Sequence, residues 1–215
     1  MSLHSSSRRT FVFAGLAIAG ALLAACSETS VKWSGTNIAG ALPDLQFTMT
    51  RAHDAKEIRD AAYDGKVRLL YFGYTYCPDV CPLTLSNITQ VLKGLGDKAD
   101  EVRVLFVTVD PDRDTLDALK NYASAFAPQV VGLRGTPDQL ASLAKRFRVA
   151  YSAGKDESGE YVVTHSPPVY AFDRQGEARL LYTGLSGGDA EKAGMTEDLK
   201  RLIDGDEAGG LLSWL

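Results

Sequence analysis

The sequence predicts an α/β protein with a mixed central sheet flanked by helices, and three observations favour this class. Apolar, β-rich runs alternate with segments of helical periodicity about 10–15 residues long, which is typical of parallel strands joined by helices. A hairpin signal follows late in the chain and adds antiparallel strands. The 215 residues suffice for one domain of ordinary size with terminal appendages.

The first predicted elements surround the central strand. Leu45–Met49 alternates apolar and polar residues, as a half-buried edge strand does. Val67–Tyr74 is almost continuously apolar, which indicates a central strand covered on both faces. Apolar residues then recur at helical spacing from Pro82 to Leu95. Because Pro is favoured at the first helical position, Cys81 is expected to cap this helix.

The middle of the chain continues the alternation. Val102–Val109 predicts a second buried strand, and Thr115–Phe126 predicts a helix for which Asp114 is a plausible cap. Val130–Leu133 is a short strand candidate. Residues 136–147 begin with Thr-Pro-Asp and carry apolar residues on one face, so they predict a helix with Pro at its first position.

The last elements are a hairpin and a helix. Val169–Phe172 and Arg179–Tyr182 flank Asp173–Gly176, which is the strongest hairpin signal in the sequence. Thr196–Ile203 predicts a final helix. A parallel core followed by such a hairpin is compatible with a thioredoxin-like sheet, although the pattern alone does not distinguish it from a small doubly wound fold.

The N-terminal segment has the layout of a bacterial secretion signal. Arg8 and Arg9 precede the apolar run 11–25, and small residues lead directly into Cys26. This junction resembles the lipobox of bacterial lipoproteins, in which the cysteine is acylated and becomes the new N-terminus. The adjacent arginines also resemble a twin-arginine export signal, so the export route stays open.

These features divide the chain into four parts. Residues 1–25 are expected to be a signal peptide, 26–41 a tether, 42–205 the folded domain and 206–215 a tail. We therefore expect an exported protein, lipid-anchored to the membrane on the periplasmic or cell-surface side. The net charge of −4 provides no cationic surplus for phosphates, which argues against nucleic acid as a partner.

A cysteine pair lies just after the predicted central strand. Cys77 and Cys81 are separated by three residues, and each precedes a proline. Ligands favour this edge of α/β sheets, and a helix N-terminus lowers the pKa of a nearby thiol. The pair is open to three interpretations: a redox centre that cycles with a disulfide, a metal site, or a structural disulfide. The short spacing disfavours a structural disulfide, because a bridge that closes so short a loop would restrict the unfolded chain little.

A metal site needs a ligand from elsewhere in the chain. After removal of residues 1–25 and acylation of Cys26, the chain keeps two thiols and two histidines, His53 and His165. Structural zinc usually takes four protein ligands, whereas soft thiolates also suit Cu(I), so the small set favours copper. His165 lies in the predicted loop that enters the late hairpin and can approach the cysteines, whereas His53 lies in a polar loop and is expected to be solvated.

Two segments resemble one known family. Residues 71–82, YFGYTYCPDVCP, are similar to the signature of the Sco/SenC copper chaperones, and residues 107–115, VTVDPDRDT, resemble the end of the next strand in that family. His165-Ser166, ahead of a strand and an Asp-x-x-Gly turn, also resembles it. The similarity extends over about residues 40–203. One departure is Thr164, where members often carry Asp before the histidine.

The resemblance implies a thioredoxin-like fold and a function. It implies copper, as Cu(I) or Cu(II), held by Cys77, Cys81 and His165 and delivered to the binuclear copper centre of cytochrome c oxidase subunit II or to another copper acceptor. Asp79 and Asp110 are candidates for supporting or docking roles, or else simply turn-forming carboxylates. A metallochaperone need not be an enzyme.

Three other functions stay open. The first is a membrane-tethered thiol–disulfide reductase that prepares the acceptor's cysteines with Cys77 and Cys81. The second is a copper or redox sensor that acts through a partner. The third is a peroxide-scavenging enzyme, which is disfavoured because Thr75 lies only two positions before Cys77, whereas such enzymes use a Thr-x-x-Cys setting.

Overall fold

The computed structural model describes residues 32–165, 168–183, 185 and 188–205, and those from 33 onward belong to one compact unit. The described strands are, in chain order, β1 (Thr36–Asn37), β2 (Thr48–Arg51), β3 (Glu57–Arg59), β4 (Val67–Gly73), β5 (Val102–Thr108), β6 (Val130–Arg134), β7 (Tyr151–Lys155), β8 (Tyr161–His165), β9 (Val169–Phe172) and β10 (Ala178–Tyr182). The described α-helices are α1 (Val80–Leu95), α2 (Leu116–Ser124), α3 (Pro137–Arg146) and α4 (Asp189–Asp204). Two short 3-10 helices span Asp60–Tyr63 and Gly96–Glu101.

Eight of these strands form one mixed sheet in the order β1-β10-β9-β4-β5-β6-β2-β3. Strands β4, β5 and β6 are parallel, while β9 and β2 flank them in the antiparallel direction. The remaining strands, β7 and β8, pair with each other in a separate hairpin. A mixed sheet with helices on both faces confirms the predicted fold class, and the fold is thioredoxin-like.

The sheet separates two hydrophobic cores. All seven residues of β4 are buried, and successive side chains point to opposite faces. Leu69 and Tyr71 face the core shared with α1, α2 and α4. Leu70 and Phe72 face the core shared with α3. This double coverage explains why the sequence of β4 is almost continuously apolar. The exception, Arg68, is buried and donates to the backbone carbonyls of Asp173 and Arg174.

The start of α1 differs from the sequence prediction. The helix begins at Val80, with Asp79 at the N-cap position, so Cys81 lies inside the first turn and does not cap the helix. Pro82 is tolerated there because the first turn does not need its missing N–H. The earlier start turns the Cys81 side chain into the core, where it is fully buried.

Other boundaries also shift. Thr115, rather than Asp114, caps α2 by accepting a hydrogen bond from the Ala118 N–H. Strand β2 shares only Thr48 and Met49 with the strand predicted over 45–49, and it lies between β6 and β3 rather than at the predicted edge of the sheet. The last helix, α4, begins at Asp189, seven residues before the predicted start. The helix at 137 is confirmed, with Pro at its first position and a capping box between Thr136 and Gln139.

The folded unit begins earlier than residue 42. Strand β1 pairs with β10, and the N–H groups of Ser34 and Gly35 donate to the buried Asp198 carboxylate at 3.0 and 2.9 Å. The composition of this segment predicts a tether, whereas the structure places residues 33–41 in the folded unit. The signal, the lipobox at Cys26 and the tail at 206–215 lie outside the described residues. Among the described helices, none has the length and hydropathy needed to span a membrane.

Candidate metal centre

The two cysteines occupy the connection between β4 and α1. This connection leaves the carboxyl end of a parallel strand, beside the end of β5, where α/β sheets commonly bind ligands. Cys77 lies in the loop and is half-buried, whereas Cys81 lies in the first turn of α1 and is buried. Both are free thiols.

Gly73 makes room for this connection. A Cβ atom at this position would lie 2.5 Å from Phe106 Cε2 and 3.1 Å from Cys81 Sγ. Both distances are shorter than ordinary van der Waals contact, so a side chain here would collide with the ring and with the sulfur. The last residue of β4 must therefore be glycine for Cys81 to pack where it does.

His165 completes the cluster from a different element. It is the last residue of β8, paired with Tyr151 of β7, and does not lie in a loop as the sequence suggested. Its Nε2 atom lies 3.3 Å from Cys81 Sγ. The rings of Tyr71 and Tyr74 meet the imidazole edge-on, with centroids 6.3 and 5.9 Å away. His165 therefore lies next to the cysteines, as the sequence predicted, but it is carried by the β7–β8 hairpin, which the sequence did not predict.

The three donor atoms converge. The sulfur atoms of Cys77 and Cys81 and a ring nitrogen of His165 all lie within 4.8 Å of one another. Two donors that bind one ion at about 2.0–2.3 Å can be at most about 4.6 Å apart, so the cluster needs little adjustment to hold a metal. Two thiolates and an imidazole form a soft donor set that suits copper.

The site is open on one side. A cavity of about 340 Å³ is lined by Tyr74, Cys77, Pro78, Asp79, Val80, Val163, Thr164 and His165. Its lining includes Cys77 and His165, whereas Cys81 is fully buried and does not line it. An incoming ligand can therefore reach the cluster from solvent through this cavity.

The two thiols differ in acidity. Burial raises the pKa of Cys77, but hydrogen bonds from the backbone N–H groups of Asp79 and Cys81 and from the Cys81 and Tyr74 side chains outweigh it and lower the pKa below the ordinary value. Burial, together with the hydrogen bond with Cys77, raises the pKa of Cys81 to about 12. The pair thus favours a thiolate on Cys77 and a thiol on Cys81.

A buried carboxylate supports the cysteine loop. Asp114 accepts hydrogen bonds from the Thr75 N–H at 3.0 Å, from the Thr75 hydroxyl at 2.5 Å and from the Thr108 hydroxyl at 2.6 Å. Thr75 lies two residues before Cys77, so Asp114 ties the loop to the end of β5. The sequence predicts only a capping role for Asp114, because the contact with Thr75 joins residues that are 39 positions apart.

The other residues that the sequence singled out, Asp79, Asp110 and His53, are not among the three donors. Asp79 is exposed at the N-cap of α1. Asp110 is fully buried, and its carboxylate binds Arg113 and Tyr161 rather than merely forming a turn. His53 is exposed in the β2–β3 connection, as expected, and does not join the cluster.

A thioredoxin-like fold that carries two cysteines and a histidine able to hold one metal ion defines a class of metal-site proteins. The comparisons identify the family within that class. The SCO1/SenC family model matches residues 39–204, and the chain belongs to this family, as the cysteine motif predicted.

Individual relatives agree. The human mitochondrial SCO1 homolog is 37% identical over 171 residues, which cover 75% of this chain and 56% of the relative. The structure of Bradyrhizobium japonicum ScoI with copper bound superposes with a TM-score of 0.65 at 36% identity, covering 74% of this chain and 98% of that one. The solution structure of apo Sco1 from Thermus thermophilus gives a TM-score of 0.69 at 31% identity, covering 80% and 97%. The chain spans about half the length of the curated relatives it matches.

Proposed function

We propose that this protein is a copper chaperone that delivers copper to the binuclear copper centre of cytochrome c oxidase subunit II. The observation that carries the proposal is the convergence of Cys77, Cys81 and His165 within 4.8 Å at an open cavity. Membership of the SCO1/SenC family, which is associated with copper and cytochrome c oxidase assembly, supports it. The similar ScoI protein of Bradyrhizobium japonicum has been solved with copper bound.

The chemistry of delivery is ligand exchange. Copper accepts few ligands, and the two sulfurs differ in access: Cys77 lines the cavity, whereas Cys81 is buried. A cysteine or histidine of the acceptor can approach the ion through the cavity and replace Cys77 or His165 before Cys81. Imidazole suits Cu(II) and thiolate suits Cu(I), so the mixed donor set tolerates both oxidation states.

The cellular setting belongs to the same proposal. We infer that residues 1–25 direct export, that lipid on Cys26 anchors the protein, and that the domain works in the periplasm or on the cell surface. The layout of Arg8, Arg9, the apolar run and Cys26 supports this inference. Radiolabelled palmitate incorporated into the wild-type chain but not into a Cys26→Ser variant tests it, and labelling of both would contradict it.

Copper titration under reducing conditions tests the central proposal. We expect one equivalent of Cu(I) per chain in the wild type and no high-affinity site in the Cys77→Ser/Cys81→Ser double variant. His165→Ala should bind more weakly by about tenfold or more, because the ion loses one of three ligands. His53→Ala is the matched control and should match the wild type. Full affinity in the double variant would place the site elsewhere.

A thiol–disulfide reductase is the second candidate, favoured by the lowered pKa of Cys77 next to a second free thiol. Such an enzyme needs the two cysteines but not His165. Disulfide reduction on a peptide carrying two cysteines separates the functions. If His165→Ala keeps full reductase activity in that assay and the wild type binds no copper, the reductase is the function; copper binding that depends on His165 favours the chaperone.

A further inference from the structure

The loop that follows β5 contacts both halves of the metal site. Asp110 and Arg113 belong to this loop, and the Arg113 Nε donates to Asp110 Oδ2 at 2.5 Å. The other carboxylate oxygen, Oδ1, accepts a hydrogen bond from the hydroxyl of Tyr161 at 2.8 Å. Tyr161 is the first residue of β8, the strand that ends at His165.

The guanidinium of Arg113 lies between two tyrosine rings. Its Cζ atom is 4.2 Å from the ring centroid of Tyr161 and 5.1 Å from that of Tyr76. Both distances are in the range of cation–π attraction. Tyr76 precedes Cys77 directly, so one arginine links the cysteine loop to the histidine hairpin. We call Tyr76, Asp110, Arg113 and Tyr161 the arginine clamp.

The hairpin needs such a link. Among the described residues, β7 and β8 pair with each other and not with the main sheet. All ten of their residues are exposed or half-buried, and of these Tyr151 and Val163 pack against the core. An isolated two-stranded hairpin is at best marginally stable in water, so its order depends on docking to the rest of the protein.

The burial of Asp110 makes the clamp a strong link. Its side chain is fully buried, whereas Arg113 keeps about a third of its side-chain surface exposed. A buried carboxylate that loses a hydrogen-bond donor incurs a desolvation penalty. The contacts of Asp110 with Arg113 and Tyr161 are therefore costly to break. Because Asp110 is buried, this pair differs from an ion pair between two exposed side chains, which contributes little to stability.

We propose that Asp110, Arg113 and Tyr161 are positioning residues that hold the β7–β8 hairpin against the cysteine loop and thereby keep His165 within reach of the bound metal. None of the three is a ligand. The role of copper in this statement rests on the proposed function, whereas the docking of the hairpin does not. The clamp would set how readily His165 leaves the ion, and therefore how readily copper is released.

Hydrogen exchange on the metal-free full chain tests the docking. Tyr161→Leu removes the hydroxyl and the ring, Tyr161→Phe removes only the hydroxyl, and Val162→Ala is the control on the adjacent exposed residue. We expect amides in residues 151–165 to exchange about tenfold faster in Tyr161→Leu, because a hydrogen bond to a buried charge is lost. Tyr161→Phe should lie between that variant and the wild type, and Val162→Ala should match the wild type.

Strand β4 provides the internal reference for this experiment. Amides in residues 67–73 should exchange at wild-type rates in every variant, because they report the main sheet. Hairpin exchange in Tyr161→Leu equal to that in Val162→Ala overturns the inference. A uniform acceleration of the hairpin and β4 overturns it too, since it would reflect lower global stability rather than release of the hairpin.

Electron paramagnetic resonance of the Cu(II)-loaded chain tests the consequence for His165. Nitrogen hyperfine coupling from the imidazole should weaken in Tyr161→Leu and in Arg113→Gln, toward the spectrum of His165→Ala, and stay unchanged in Val162→Ala. If the nitrogen coupling is unchanged in a variant whose hairpin exchanges faster, then docking of the hairpin does not keep His165 on the copper ion, and that part of the proposal is contradicted. A wild-type chain that binds no copper refutes the proposed function instead and leaves the exchange result standing.

Discussion

Cys77 and Cys81 show how the environment of a residue separates two identical side chains. They are four positions apart, yet one lines a cavity and the other has no exposed surface. Backbone N–H groups lower the pKa of the first, and burial raises that of the second to about 12. The protein thus presents one reactive sulfur to solvent and keeps the other as an inner anchor.

Alkylation of the metal-free, reduced chain measures this difference. The thiolate is the nucleophile, so the lowered pKa keeps Cys77 reactive at a pH below that at which free cysteine loses reactivity. Cys81 should stay unmodified at neutral pH until the protein unfolds. Iodoacetamide labelling across pH, with fragmentation mass spectrometry to locate the label, checks both statements. Labelling of Cys81 first, or of both at equal rates, would contradict them.

Gly73 is the second case at the scale of single residues. Gly73→Ala places a methyl group against Phe106 and Cys81, so we expect a loss of about 1–3 kcal/mol in the free energy of unfolding. Copper affinity should fall as well, because the sulfur must shift. Urea denaturation and copper titration measure the two effects. Gly154→Ala, where nothing lies within 4 Å, is the control and should leave both unchanged.

At the scale of elements, the sequence predicted those strands and helices whose own residues carry a clear pattern. The almost continuous apolar run of β4 and the Thr-Pro start of α3 both lie where the sequence placed them. The sequence analysis does not predict the β7–β8 hairpin, because β7 contains Ser152 and Gly154 and shows no clear strand pattern; the β-rich run from Tyr161 to Thr164 in β8 was the available signal. The exact start of α1 was missed because Pro82 permits more than one position in the first turn.

The loop after β5 supports a prediction at this scale. Asp114→Ala leaves the hydroxyls of Thr75 and Thr108 and a backbone N–H without their acceptor. We expect the free energy of unfolding to fall by about 3 kcal/mol and copper affinity to fall with it, because the cysteine loop loses its tie. Urea denaturation checks this. Asp117→Ala, an exposed carboxylate on α2, is the control; an equal loss there would refute the role of the tie.

At the scale of the whole molecule, the sheet order explains how distant residues meet. Antiparallel β9 lies next to β4, so the chain that precedes β9 runs past the end of β4 where the cysteines lie. The family resemblance predicted that His165 joins them. Spacing alone left that open, because Cys81 and His165 are 84 positions apart and the chain between them carries no local signal of contact.

The sequence also carries no local signal for the contacts that support the three donor residues. Asp110 and Asp114 lie in a motif that the sequence identified, but their partners Tyr161 and Thr75 come from other elements. Such contacts depend on the assembled tertiary structure, which residue patterns describe only through known relatives. The sequence therefore predicted which three donor residues converge better than it predicted the contacts that hold them in place.

X-ray absorption at the copper edge of the Cu(I)-loaded chain tests the central claim most directly, since it counts the atoms bound to the ion. We expect two sulfur ligands and one nitrogen ligand in the wild type and in His53→Ala, and the loss of the nitrogen in His165→Ala. A wild-type spectrum with fewer than two sulfurs, or a nitrogen that persists in His165→Ala, would contradict the assignment of Cys77, Cys81 and His165 as the copper site.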